Sequence, residues 1–179
     1  GRPRHVYELT ARAQDHFPSN YNALTAGLLR AMEGVGGPKL VEQVFQARRH
    51  QLAEQIRRRF AERGLEDAPL EDRARELARV QDEQGYLCEC GRETVDPGAT
   101  SAANGDRELM PIQVGDDGVI RLRERNCAIY DVATATPAAC RAEVQLFRDV
   151  LGARVVRETH IASGDRCCTY RIEERPSRG

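Results

Sequence analysis

The chain has 179 residues, 40% of them hydrophobic and 31% charged, with a net charge of −1. That balance supports a packed core and excludes both a broadly disordered chain and a polybasic nucleic-acid binder spread over its whole length. No apolar run reaches the length of a membrane span, and no secretory leader is visible, so the six cysteines point to a reducing, cytoplasmic setting, where thiols are metal ligands or buried small hydrophobes more often than disulfides.

His5 to Thr10 alternates in the manner of a half-buried strand. It has no partner upstream, and Gly1 is not preceded by Met, so a longer chain is expected. Residues 11–16 read as a helical turn. A helix starting at Pro18-Ser19-Asn20 carries Leu24, Leu28, Leu29 and Met32 on one stripe. It stops at Gly34-Val35-Gly36-Gly37, a candidate hinge. Pro38 opens the longest helix, running to about Arg63. Val41, Phe45, Leu52, Ile56 and Phe60 recur on its seam, widened by Leu40 and Val44. A long helix with a narrow seam commonly packs on a partner helix, so it reads as a dimerisation element; a helix lying on its own domain is the alternative. Arg57, Arg58 and Arg59 read as a solvated face.

Leu70 to Gln84 is a second amphipathic helix, with Leu70, Ala74, Leu77 and Val80 inward. Tyr86 to Cys90 is expected as a short strand, and Gly91 to Asp106 as a flexible excursion. Leu109–Val114 and Val119–Arg123 come next as strands around a turn at Gly115–Gly118. Thr136 is placed to cap a helix with Pro137 in its first turn, ending at Gly152. Arg154–Ile161 and Arg166–Ile172 form a closing hairpin around Ser163-Gly164-Asp165. The tail from Glu173 is polar.

The chemistry of interest lies in Cys127, Cys140 and Cys168, separated by twelve and twenty-seven residues. They fall in a loop after a strand, in the first turn of a helix and within a strand. Three convergent thiols from three elements make a candidate metal or iron–sulfur site. The helix N-terminus is expected to lower the Cys140 thiol pKa. Period two sets Cys168 with Tyr170 and Ile172 on the core face, and Cys167 with Thr169 and Arg171 on the other. Cys167 is therefore read as a bystander. Three core cysteines can also occur without any metal, and the long gaps without a C-x-x-C pair favour that plainer reading slightly. Cys88 and Cys90 point the same way on their strand and read as filler. His160 is a candidate fourth ligand: it faces Cys168 if the hairpin loop has three residues, whereas Ile161 does so if it has two. No nucleophile–base motif, phosphate loop or paired-carboxylate pattern stands out, so an enzyme is not expected.

The stretches Glu124-Arg-Asn-Cys-Ala-Ile-Tyr-Asp-Val-Ala133, Thr136-Pro-Ala-Ala-Cys140 and His160-Ile-Ala-Ser-Gly-Asp-Arg-Cys-Cys-Thr-Tyr170 resemble the SufR family, bacterial winged-helix repressors of iron–sulfur cluster biogenesis operons. Gly1-Arg-Pro-Arg-His-Val-Tyr-Glu-Leu-Thr10 is similar to the wing of that family's DNA-binding domain, and Pro18-Ser-Asn-Tyr21 with its helix is similar to the segment next to that wing. The resemblance implies an α+β chain: residues 1–37 as the end of a winged-helix DNA-binding domain, 38–84 as a helical dimerisation region, 85–173 as an iron–sulfur sensor domain with an antiparallel sheet, and 174–179 as a tail. It implies that Cys127, Cys140 and Cys168 hold a [4Fe–4S] cluster. It also implies a homodimer on an inverted repeat of double-stranded DNA, repressing with the cluster bound and releasing when it is lost. Arg2, Arg4 and His5 would be wing contacts. The recognition helices that should precede Gly1 are not in this sequence, and 91–106 departs from the family as an insertion. A regulator sensing zinc or a small organic ligand, with structural cysteines, is the alternative.

Overall fold

The computed structural model describes residues 21–93 and 118–175. The expected wing strand, the turn at 11–16, the strand at 109–114 and the candidate DNA contacts Arg2, Arg4 and His5 lie outside the described residues.

Helix α1 spans Tyr21–Glu62 and is broken at Gly37, whose φ of 68° and ψ of −177° are not helical. Positive φ suits a residue without Cβ, and Pro38 then restarts the helix without needing an N–H partner. The expected break is thus present. Beyond it Val41, Ala53, Ile56 and Phe60 are buried. Ala53, Ile56 and Phe60 join this chain's own core, which accords with the alternative of a helix lying on its own domain. An apolar stripe specifies that it will be covered, not by which chain. Arg57 and Arg58 are exposed, as a solvated face requires, although Arg57 also donates to the Asp149 carbonyl at 3.1 Å; Arg59 departs from that face and pairs with Glu76 and Glu83.

Helix α2 (Leu70–Glu83) buries Leu70, Ala74, Leu77 and Val80, as their spacing predicts, together with Glu76 and Gln81. Strand β1 runs Cys88–Glu93, later and longer than expected, so 91–93 belong to the sheet and not to a flexible excursion. Here pairing overrides glycine's low strand propensity: Gly91 sits opposite Arg121 in β2 (Val119–Glu124). A short helix α3 (Tyr130–Ala135), not foreseen from its six-residue sequence, precedes α4 (Pro137–Leu151). Thr136 caps α4, its hydroxyl accepting from the Ala138 N–H at 3.3 Å, and Gly152 ends it at φ 62°. Strands β3 (Arg154–Thr159) and β4 (Cys168–Glu173) close the chain.

The four strands form one antiparallel sheet in the order β1-β2-β4-β3. The fold is therefore α+β with an antiparallel sheet. The helices cover one face, and Phe147, Leu77, Leu122, Leu151, Ile172 and Val155 fill the space between them at under 2% exposure. Tyr170 sits edge-on to Phe147, ring centroids 4.9 Å apart. Among the described residues no helix is long and apolar enough to cross a membrane.

Candidate metal centre

Register carries chemistry to one end of this sheet. Reading across the strands on the helix-facing side, Arg92, Ile120, Ile172 and Val155 form one row, and Cys90, Leu122, Tyr170 and Arg157 the next. The last row is Cys88, Glu124 and Cys168. Rows with an apolar centre and an arginine at one edge thus give way to a row of two thiols around a carboxyl group. Glu124 is 1% exposed. Its Oε1 accepts from Gln81 Nε2 of α2 at 2.9 Å, and its Oε2 from the Tyr170 hydroxyl at 3.3 Å. The same hydroxyl lies 2.5 Å from Oε2 of Glu143 on α4. Two glutamates from different elements therefore share one buried phenol.

The three predicted ligands border this pair. Cys140 lies one helical turn before Glu143, on the same face of α4. Cys168 lies two residues before Tyr170, on the same face of β4. Cys127 comes after β2, in a turn closed by the Tyr130 N–H on the Cys127 carbonyl at 3.1 Å. Its loop is anchored by Asn126, whose N–H reaches the Tyr86 carbonyl at 3.0 Å and whose side-chain amide reaches the Gly85 carbonyl at 2.6 Å. Leu87, the neighbour of these anchors, is held at a left-handed φ of 49°. Such strain persists only where surrounding bonds enforce it, here the Arg125 N–H on the Leu87 carbonyl.

Burial pushes all three thiols up. Cys168 reaches about 12, with the charges of Glu124 and Glu143 adding to burial. For Cys140, burial and then Glu143 outweigh the Arg157 guanidinium. The lowered thiol expected at the α4 terminus is thus reversed: the helix end is desolvated, and a carboxylate one turn away adds to the rise beyond what the dipole can compensate. Glu124 is itself pushed well above the carboxylate range by burial and by Glu143, and Glu143 is raised by burial against the opposing Tyr170 hydrogen bond and Arg157 charge. Arg157, beside Tyr170 on β3, donates to the Cys140 carbonyl at 3.3 Å and brings positive charge to this end.

The remaining candidates fall elsewhere. Residues 160–167 separate β3 from β4, so neither short hairpin loop occurs. The Ile161 N–H, not the His160 ring, meets the Cys168 sulfur, at 3.4 Å. His160 is tied into its own turn by Ser163 Oγ at 2.8 Å and Asp165 at 2.7 Å, with a buried Nε2 lacking a partner. Cys167 is buried on the opposite face beside Thr159 and Thr169. Cys88, read as filler, shares the row of Glu124 and Cys168 and is raised by burial and then by Glu124.

As they stand, no three His, Cys, Asp or Glu side chains among the described residues are gathered to hold a single metal ion. The donor set nevertheless suits an iron–sulfur cluster: thiols from three elements, Cys140 and Cys168 buried and Cys127 partly so, with a cation nearby. A multi-iron core also keeps its ligands farther apart than one ion does. Glu124, Glu143 and Tyr170 were missed by sequence reasoning; the available signals were Glu143 at i+3 from Cys140 and Tyr170 at i+2 from Cys168. Comparison of the chain with protein-family models, curated proteins and solved structures returns no match. The functional reading therefore rests on the residues themselves.

Proposed function

We propose that this chain is the sensing part of a DNA-binding transcriptional repressor that reads iron–sulfur cluster status through a [4Fe–4S] cluster held by Cys127, Cys140 and Cys168. The observation that carries the reading is that Cys127, Cys140 and Cys168, from a loop, a helix and a strand, all lie within reach of the Glu143 charge. When bound, the cluster would supply an oxidant- and iron-responsive core. The chain's own residues would do the rest. The Asn126 anchors hold the Cys127 loop against residues 85–86. The Ile161 N–H donates to the Cys168 sulfur and would favour its thiolate. Arg157 offsets the negative charge of three thiolates. Loading must displace protons from raised thiols, so uptake should strengthen as pH rises.

In this reading the output is release of an inverted-repeat operator by a cytoplasmic homodimer, with Arg2, Arg4 and His5 contacting the DNA backbone. The first part of α1, where Tyr21, Leu24 and Leu28 are exposed, is the surface offered for pairing. Loosening of the Cys127 loop on cluster loss would reach α1 through its packing on α3 and α4. Anaerobic purification followed by absorption, iron and acid-labile sulfide determination tests the idea. A brown protein with stoichiometric iron and sulfide is expected, and in the longer chain that carries the recognition helices operator binding should require the loaded state. A colourless protein under assembly conditions would sink it.

The second reading, a zinc or small-molecule sensor with structural cysteines, is favoured by one feature: a groove of about 600 Å³ between α1 and α4, lined by Arg49, Arg141, Arg148 and Arg157. Serine substitution of Cys127, Cys140 or Cys168 separates the two. Unchanged regulated DNA binding supports the groove, and loss of regulation supports the cluster.

A further inference from the structure

Three cysteine ligands leave one iron of a four-iron cluster to be completed by something else, and two side chains compete for that place. His160 has a buried, unpartnered Nε2 and a ring fixed through Nδ1 by Ser163, an arrangement suited to a ligand. Its turn, however, is held by Asp165, and the Arg157 charge acts on its ring, a cation that does not favour a metal. The Arg157 charge acts on Glu143 as well, but that carboxylate is placed differently. It shares a helix face with Cys140, at i+3. The Tyr170 hydroxyl, which projects from the same strand face as Cys168, fixes its Oε2 at 2.5 Å. Its Oε1 takes no hydrogen bond among the described residues. The carboxylate also lines a cavity whose wall includes Ile129, two residues from Cys127. One oxygen oriented by a buried phenol, on a carboxylate whose charge reaches Cys127, Cys140 and Cys168, is how a protein prepares a carboxylate for a metal.

We infer that Glu143 is the fourth ligand of the site, completing the cluster held by Cys127, Cys140 and Cys168 with a single carboxylate oxygen while Tyr170 retains the other. This rests on the cluster reading and extends it. An oxygen donor at one iron is harder than thiolate and exchanges more readily, so the Glu143 position is where the cluster would open. The cavity wall formed by Phe45, Leu52, Tyr86 and Ile129 makes it the ligand reachable from outside the fold. Tyr170 acts through Glu143 and is a positioning residue.

The full chain is loaded anaerobically with ⁵⁷Fe and sulfide as wild type, Glu143→Ala, Glu143→Gln and His160→Ala, and monitored by Mössbauer spectroscopy and by the rate of iron loss to a chelator. Expected is one iron with oxygen-ligand parameters in the wild type and in His160→Ala. In both Glu143 variants that iron should shift, and cluster loss should accelerate about tenfold or more. Should Glu143→Ala fail to fold, Glu143→Gln, which preserves shape and an acceptor for Tyr170, gives the same reading. Glu143→Cys should slow the loss below wild type by supplying a fourth thiolate. A distinct iron unaltered in the Glu143 variants, or altered in His160→Ala, overturns the assignment and leaves the three-cysteine cluster standing. Wild type taking up neither iron nor sulfide overturns both.

Discussion

Two glutamates of this molecule are almost wholly withdrawn from solvent, and they live opposite lives. Glu76 on α2 is 0% exposed and meets three guanidinium groups: Arg59 at 2.6 Å, Arg63 at 3.0 Å and Arg79 at 3.0 Å. Burial pushes its carboxyl up, but the hydrogen bonds from Arg59 and Arg79 and the charges of Arg59 and Arg63 prevail and hold it below the ordinary range. Glu124, at the sheet end, is hydrogen-bonded to a neutral amide and a neutral phenol and faces a second carboxyl group. Nothing opposes its burial with comparable strength. The first arrangement joins α1 to α2 and is complete in itself. The second gathers carboxyl groups and thiols around the single charge of Arg157, which does not bring Glu124 back into the ordinary range, and so suits a further positively charged partner.

The sharpest way to break this comparison is Glu76→Ala. It removes charge-assisted bonds to three arginines and should lower stability by about 2–3 kcal/mol, measured by urea denaturation of the cluster-free chain. Glu124→Gln should act with the opposite sign, raising stability near neutral pH by about 1 kcal/mol while keeping a partner for Gln81; a loss of that size would mean the glutamate is structural after all. The pH dependence distinguishes the two further. A raised carboxyl contributes stability that is full below its unfolded pKa of about 4.3 and disappears as pH rises through its higher folded value. A lowered one, such as Glu76, contributes above about 4.3 and is lost as pH falls through its folded value. The cluster-free chain should therefore gain stability on acidification from neutrality, pass a maximum near the ordinary carboxylate range, and lose it below. Denaturation midpoints across pH check this, and Glu124→Gln should flatten the limb above the maximum. Tyr170→Phe strands an oxygen of Glu143 and should cost about 0.5–1 kcal/mol by the same denaturation assay. Smallest is Arg141→Ala, which breaks a half-exposed pair with Glu42 and should change stability by no more than about 0.5 kcal/mol.

The elements of this fold were legible where local chemistry dictates them. Thr136-Pro137 and Gly152 fix both ends of α4, and the glycines before Pro38 mark the break in α1. Strand parity sorted Cys168, Tyr170 and Ile172 from Cys167 and Thr169, and the sheet bears that out. What was not legible depends on pairing partners distant in sequence. The start of β1 and the row of Cys88, Glu124 and Cys168 are set by register, and register appears only once three strands from 88, 124 and 168 have met. The seam of α1 was visible, but whether its cover came from α4 or from a second chain was not. The rise of the Cys140 thiol was hidden because a helix terminus is a local feature, whereas the carboxylate that overrides it matters only through burial. The three predicted ligands come to one end of the fold; the glutamates between them had no motif to announce them.

Gly37 has a mechanical consequence. A Cβ at this position would meet nothing within 4 Å, while the Leu40 side chain lies close against the neighbouring Gly36. The direction of residues 21–36 relative to the sheet-bearing body turns on the two dihedral angles of Gly37, in a region where a residue with a Cβ costs roughly 1–3 kcal/mol. A rotation of a few tens of degrees there swings Tyr21, sixteen residues away, through many ångströms. The chain thus contains a lever whose pivot is a single peptide unit and whose long arm carries Leu24 and Leu28 on its surface. Whatever rides on that arm is aimed by the torsion at Gly37 and by the close approach of Leu40 to Gly36.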